Sequence, residues 1–221
     1  CGQSLLPVDG RDGLMAISTY TELMTAVDNW LARTDLADRA PEFIALAEGR
    51  MNRELETRAQ EKRVTANTVA DDSYVSLPTD VRQVRHVRLN TNPKVILKFL
   101  TPEALDATYP STGTGKPRAY SVIGTEIVFS PTPDAVNEAE IAYVGDIDAL
   151  GDSTATNTIL ARHPDAYLHG ALAEAFTYLM DDQRATRHDQ MFSRAVMGIQ
   201  ADEERARWGQ SPTIRSPYGE V

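Results

Sequence analysis

The stretch of this sequence closest to a chemical motif is Gly113-Thr114-Gly115-Lys116, which resembles part of a phosphate-binding loop. A phosphate cradle of the form GxxxxGK[ST] needs glycine where Pro110 stands and a hydroxyl where Pro117 stands. A proline has no free amide to point at a phosphate. The segment 111–116 is therefore read as an exposed turn or partner contact, with Thr112, Thr114 and Lys116 as its reaching side chains. His163, Asp165 and His169 suggest a metal, but Pro164 opens a helix there. A spacing of six residues turns the two imidazoles to different helix faces, and no second ligand cluster lies nearby in the sequence. His163 and His169 are assigned to capping or to contacts between subunits. Asp71-Asp72 and Asp181-Asp182 pair carboxylates at element boundaries, where turns and caps use them. There is no GxSxG, and the single cysteine, Cys1, forms neither an internal disulfide nor a CxxC site. The chain is read as having no catalytic residues, no metal and no cofactor.

Charge narrows the reading further. The 221 residues carry a formal net charge of -10 and a pI near 4.9. Such a surface repels DNA phosphates, which excludes sequence-independent binding over the whole surface while leaving room for a negative lumen through which DNA slides. Against this background, Arg82, Arg85, Arg88, Lys94 and Lys98 form a run without any acid. It reads as a solvated sheet face, as a contact with an acidic neighbouring subunit, for which Arg82, Arg85 and Arg88 are the candidates, or as a weak DNA-facing patch. No stretch approaches the roughly 18 apolar residues of a membrane span, so no membrane partner is expected.

These side chains need a scaffold, and hydrophobic spacing supplies one. Tyr20, Leu23, Val27, Trp30 and Leu31 fall on one helical face between Thr19 and Arg33, with Ser18 or Thr19 as cap. A second helix is expected from Pro41 to Ala59, with Phe43, Ile44, Ala47, Met51 and Leu55 inward. Strands are expected at 74–78, 81–89, 95–100, 119–123, 126–129 and 140–144, with a short helix opening at Pro102 and a tight turn at Gly124-Thr125. After a polar linker at 145–158, helices return, one from Pro164 to Met180 and, after a break and cap at Asp181-Asp182, another continuing to Trp208. Leu168, Leu172, Ala175, Phe176 and Leu179 line the first; Phe192, Ala195, Val196 and Ile199 line the second.

The fold class is therefore α+β, mainly α. A four-helix bundle made of two N-terminal and two C-terminal helices carries an inserted small antiparallel β domain and an extended C-terminal arm. The expected divisions are an extension at 1–17, bundle helices at 18–63, the β domain with its linker at 64–158, bundle helices at 159–208 and the arm at 209–221. The arm has too few apolar groups to fold alone. Trp208, Ile214, Arg215, Tyr218 and Val221 are its anchor candidates, and Pro212 and Pro217 stiffen it. At the other end, Cys1-Gly2-Gln3-Ser4 has the form of an acylated lipoprotein start, whereas Met15 running into Ser18-Thr19-Tyr20 reads as the natural beginning.

The order of several segments carries a resemblance. These are Tyr20-Thr21-Glu22-Leu23 to Trp30-Leu31-Ala32-Arg33; Pro41-Glu42-Phe43-Ile44 to Met51-Asn52-Arg53-Glu54-Leu55; Leu77-Pro78-Thr79-Asp80; and Leu100-Thr101-Pro102-Glu103-Ala104-Leu105. Gly115-Lys116-Pro117-Arg118-Ala119-Tyr120, Phe129-Ser130-Pro131-Thr132-Pro133, Arg162-His163-Pro164-Asp165-Ala166-Tyr167-Leu168-His169-Gly170 and Asp202-Glu203-Glu204-Arg205-Ala206-Arg207-Trp208 follow. Together they resemble the head-to-tail adaptor proteins of tailed bacteriophages, the group that includes tail tubular protein A. The resemblance implies a non-enzymatic virion protein of the phage neck, assembled in the host cytoplasm. It also implies a ring, usually dodecameric, under the portal that seals and extends the DNA channel. The C-terminal segment would reach the portal protein, and the β domain would face a downstream tail or nozzle protein. Genomic DNA would pass through the lumen without sequence-specific binding. A head-completion or stopper protein lower in the connector is the alternative, and a lipoprotein anchored through Cys1 is a further one.

Overall fold

In the computed structural model, the described residues are 17–33, 35–110 and 113–208. Their architecture is α+β, and the chain divides into two compact units. One comprises the described residues up to Leu55 together with those from Asp148 onward; the other is Glu56–Ile147.

The first unit is helical. Helix α1, Tyr20–Leu31, starts at a reciprocal cap: Thr19 Oγ1 accepts from the Glu22 amide at 3.3 Å, and Glu22 Oε2 accepts from the Thr19 amide at 3.0 Å. Helix α2, Ala40–Glu54, has proline in its first turn, where no amide partner is lost. It stops earlier than the spacing suggests, with Leu55 in extended backbone. A short α4, Thr158–Arg162, precedes α5, Pro164–Tyr178, and the long α6, Asp182–Trp208, follows. Asp181 caps α6, accepting from the Arg184 amide at 3.1 Å.

Helices α1, α2 and α6 all pack on α5. Being covered on several sides, α5 is buried almost all round rather than along one stripe. Small residues let its neighbours come close. A Cβ on Gly170 would stand 2.9 Å from Ala47 Cβ on α2 and 3.0 Å from Phe192 Cδ2 on α6. The apolar positions read from spacing are buried, except that Trp30 is 55% exposed and Leu179 and Ala195 are half-buried.

The second unit is a β sandwich. The strands are β1 Glu61–Asn67, β2 Tyr74–Ser76, β3 Val81–Leu89, β4 Val95–Ile96, β5 Lys98–Phe99, β6 Ala119–Ile123, β7 Glu126–Ser130 and β8 Glu138–Gly145. They form two sheets, ordered β1-β8-β3-β4 and β2-β7-β6-β5, and the short helix α3, Pro102–Thr108, follows β5. Val87, Leu89, Tyr120, Ile127, Phe129, Ile141 and Tyr143 fill the space between the sheets. The strand pairs are antiparallel as expected except one, since β5 runs parallel to β6. The single strand expected at 95–100 is two. The chain changes sheets at buried Leu97, pairing with β3 before it and with β6 after it. Gly124 makes the expected hairpin turn with φ 58°.

Strand β3 reads Val81-Arg82-Gln83-Val84-Arg85-His86-Val87-Arg88-Leu89, with valine at every third position. A regular strand, whose side chains alternate, would throw every second valine out of the core. Two register shifts on β8, between Val81 and Gln83 and between Val84 and His86, absorb the extra residues Arg82 and Arg85. Val81, Val84, Val87 and Leu89 then lie opposite Gly145, Tyr143, Ile141 and Ala139, all on the core face.

Candidate functional site

The segment 148–157, expected as a plain polar linker, is stitched to the helices. Buried Glu48 on α2 holds it: Glu48 Oε1 accepts from the Leu150 amide at 2.9 Å and from the Tyr167 hydroxyl of α5 at 3.1 Å. Asn157 Nδ2 donates to the Tyr167 oxygen at 2.6 Å and to the Asp148 carbonyl at 2.8 Å, while its Oδ1 caps α4 through the Leu160 amide. The Tyr20 amide donates to the Ala155 carbonyl at 2.6 Å. Burial raises the Glu48 carboxyl above the usual carboxylate range, against the pull of the two bonds it accepts. Burial and the neighbouring Glu48 raise the Tyr167 phenol as well. The sequence gives no local sign of this network, because its members are distant in the chain, Glu48 and Tyr167 lying 119 residues apart.

The acid-free run on β3 finds its acids in space. Arg82 lies 3.8 Å from Asp146, Arg85 bonds Glu56 at 2.9 Å and Arg88 bonds Glu140 at 2.6 Å. The arginines do not form an unneutralised basic patch, since strand pairing and the approach to β1 bring carboxylates to them. The Arg88 guanidinium holds the Glu140 carboxyl below its ordinary range. Lys94 and Lys98 flank the change of sheets at β4 and β5.

The loop once compared with a phosphate cradle is laced into one end of the sandwich. The Gly115 amide donates to the Thr132 carbonyl at 2.8 Å, and the Arg118 amide to Ser130 at 3.0 Å. Those two amides are used within the chain and do not point at a ligand. Lys116 Nζ donates to Thr91 Oγ1 at 2.8 Å, and Thr114 bridges Thr132. Thr112 lies outside the described residues. Next to this loop, Thr68 links to Ala135 and Asn137, and Asp71, with φ 63°, donates its amide to the Pro133 carbonyl. Asp72 Oδ1 accepts from the Tyr74 amide at 2.9 Å, the turn role expected of this acid pair. The same end exposes Val69 and Val136.

His163 stands half-buried between α4 and α5 and makes no side-chain cap bond. His169 sits on α5 with its Nδ1 3.1 Å from Nδ1 of His188 on α6. Between α2, α5 and α6 lies a cleft of about 330 Å³ whose lining includes Arg50, Thr177, Asp182, Thr186 and Asp189. Arg50 bonds Glu174 at 3.2 Å and Asp189 and lies over the Phe192 ring at 4.4 Å, so it serves as a helix tie. Among the described residues no three His, Cys, Asp or Glu side chains come together to hold a metal ion. No described helix is long and apolar enough to cross a membrane. Trp208 is the last residue of α6. Ile214, Arg215, Tyr218 and Val221 lie outside the described residues.

The sequence model of one protein family, described as SU10 adaptor protein, matches residues 18–216. No curated protein matches the chain.

Proposed function

The chain belongs to the SU10 adaptor protein family, and from that premise we propose that it forms a ring, dodecameric as in the adaptors it resembles, beneath the phage portal. Membership makes it a structural protein of the phage neck, working between portal and tail proteins. In the proposed assembly the helical unit acts as a four-helix bundle packed side by side around the ring. The ring extends and seals the DNA channel. The loop end of the sandwich, with Thr112, Thr114 and Lys116, offers the platform for the tail. The segment after Trp208 binds the portal through Ile214, Arg215, Tyr218 and Val221.

The observation that carries this reading is the extent of the family match, which takes in both units and runs past Trp208 into the segment read as the arm. The charge balance supports it: a chain of net charge -10 suits a lumen through which DNA passes without being held. The pairing of Arg82, Arg85 and Arg88 with carboxylates of their own chain removes cations that would grip phosphate. In this reading His163 and His169, with the three arginines, lie toward neighbouring subunits. Electron cryo-microscopy of the ring seated on a portal tests the arrangement. The expected map shows a lumen lined by acidic and neutral side chains. Arg82, Arg85 and Arg88 pointing into the lumen would overturn the channel reading.

A further inference from the structure

Three helices meet at one aromatic cluster, of whose members only His169 has a role above. Trp30 of α1 stands edge-on to His169 of α5 and to His188 of α6, with ring centroids 5.8 and 6.0 Å apart. Phe176 of α5 stacks on His188 at 5.3 Å and 14°. At the centre, the two imidazoles meet through Nδ1 at 3.1 Å, and His188 is only 8% exposed. That contact requires one Nδ1 to carry a proton and the other to offer its lone pair. One added proton is tolerated, because it goes to the far nitrogen of the donor ring. A second must go to the accepting Nδ1, leaving two N–H groups and two positive charges head to head in a part-buried site.

We propose that Trp30, His169, Phe176 and His188 form an acid-sensitive latch that ties the first turns of α6 to α5 and α1 and lets go when both imidazoles are protonated. The release is local. Farther along α6, Phe192, Val196 and Ile199 are buried and stay packed. The charged groups around the pair are few. Asp165 on α5 favours charge on His169, whereas Arg187 on α6 opposes it on His188. Arg184 of α6 lies 5.4 Å over the Phe176 ring. From α1 the cluster is faced by the Trp30 ring, which does not titrate.

Burial holds both histidines below their ordinary value, with the His169–His188 contact adding to the effect at His188. The unfolded chain therefore binds protons that the folded one refuses. The latch's contribution is complete above about pH 6.5, the ordinary histidine value, and is lost as pH falls below it. A titration of the full chain carrying Trp208→Phe tests this, since Trp30 is then the only tryptophan and protonated imidazole quenches indole emission. The expected result is quenching of Trp30 below pH 6.5, with the thermal midpoint falling by about 2–4 °C over the same window. Combining His169→Gln with His188→Gln should abolish both. Imidazole NMR of the unsubstituted chain gives a measurement that needs no variant, and both rings should titrate below 6.5, in two coupled steps. Flat Trp30 emission, or either ring titrating at or above its ordinary value, would overturn the latch.

Discussion

Single side chains decide this structure mainly where a polar group is buried. Glu48 is the clearest case, because one carboxylate oxygen serves both the Leu150 amide and the Tyr167 hydroxyl. Glu48→Ala should lower stability by about 1–3 kcal/mol, the usual cost of leaving buried partners unmet, as read by chemical denaturation. Glu48→Gln keeps an accepting oxygen and should recover most of that loss. The variants also separate in pH. Because burial raises the Glu48 carboxyl, the folded chain holds this proton to a higher pH than the unfolded one does. The side chain's contribution is therefore full below the unfolded value of about 4.3 and fades as pH rises through the native value. The thermal midpoint of the unsubstituted chain, relative to Glu48→Gln, should fall as pH rises above the ordinary carboxylate range. A constant difference would show that Glu48 is not titrating there. Arg82 and Arg85 of β3 make a contrasting case, since their pairs are partly exposed and contribute little individually.

Elements were readable in the sequence wherever one local pattern sufficed. The helix faces follow from residues three and four apart, and the caps at Thr19 and Asp181 from hydroxyl and carboxylate at helix starts. Strand β1 was not readable. Glu61-Lys62-Arg63-Val64-Thr65-Ala66-Asn67 is an edge strand whose inward side chains are only half-buried, so its alternation is masked by charge. The tie at 148–157 and the acids facing Arg82, Arg85 and Arg88 were hidden for another reason: the partners are distant in sequence and meet only after the sheets form. The valine triplets of β3 were visible, but the bulges that reconcile them with a two-residue period were not. That account predicts which deletions the sandwich tolerates. Deleting Arg85 turns a bulge into regular ladder and leaves Val84 and Val87 inward, so the thermal midpoint should change little. Deleting Ala142 from the central strand β8 turns its side chains over and should leave no cooperative transition. Equal effects would refute the bulge account. In the helical unit, Gly170→Ala gains up to about 1 kcal/mol of helix propensity but puts a methyl 2.9 Å from Ala47 Cβ. Moving α2 off α5 should cost about 1–3 kcal/mol. A net loss of stability is therefore expected, and a gain would mean that the two helices can part freely.

At the scale of the whole molecule, this acidic chain is, in the proposed function, one piece of a larger assembly. Like-charged subunits repel, so free copies should stay monomeric and close into a ring only where a template supplies further contacts. The C-terminal segment is the proposed source of those contacts. A chain ending at Arg207 should keep its thermal midpoint within about 1–2 °C, because the buried positions of α6 lie before that point. It should nevertheless fail to attach to portals, and capsids assembled with it should package DNA and then lose it. Portal occupancy equal to that of the full chain would move attachment to the helical unit. The central claim is that this chain is an adaptor that closes into a ring on a portal. Negative-stain microscopy of the purified chain mixed with its cognate portal tests it most directly. The account predicts ring-on-ring particles with a continuous central channel, seen only when both proteins are present. Bare portals beside persistent monomers at micromolar concentration would contradict it.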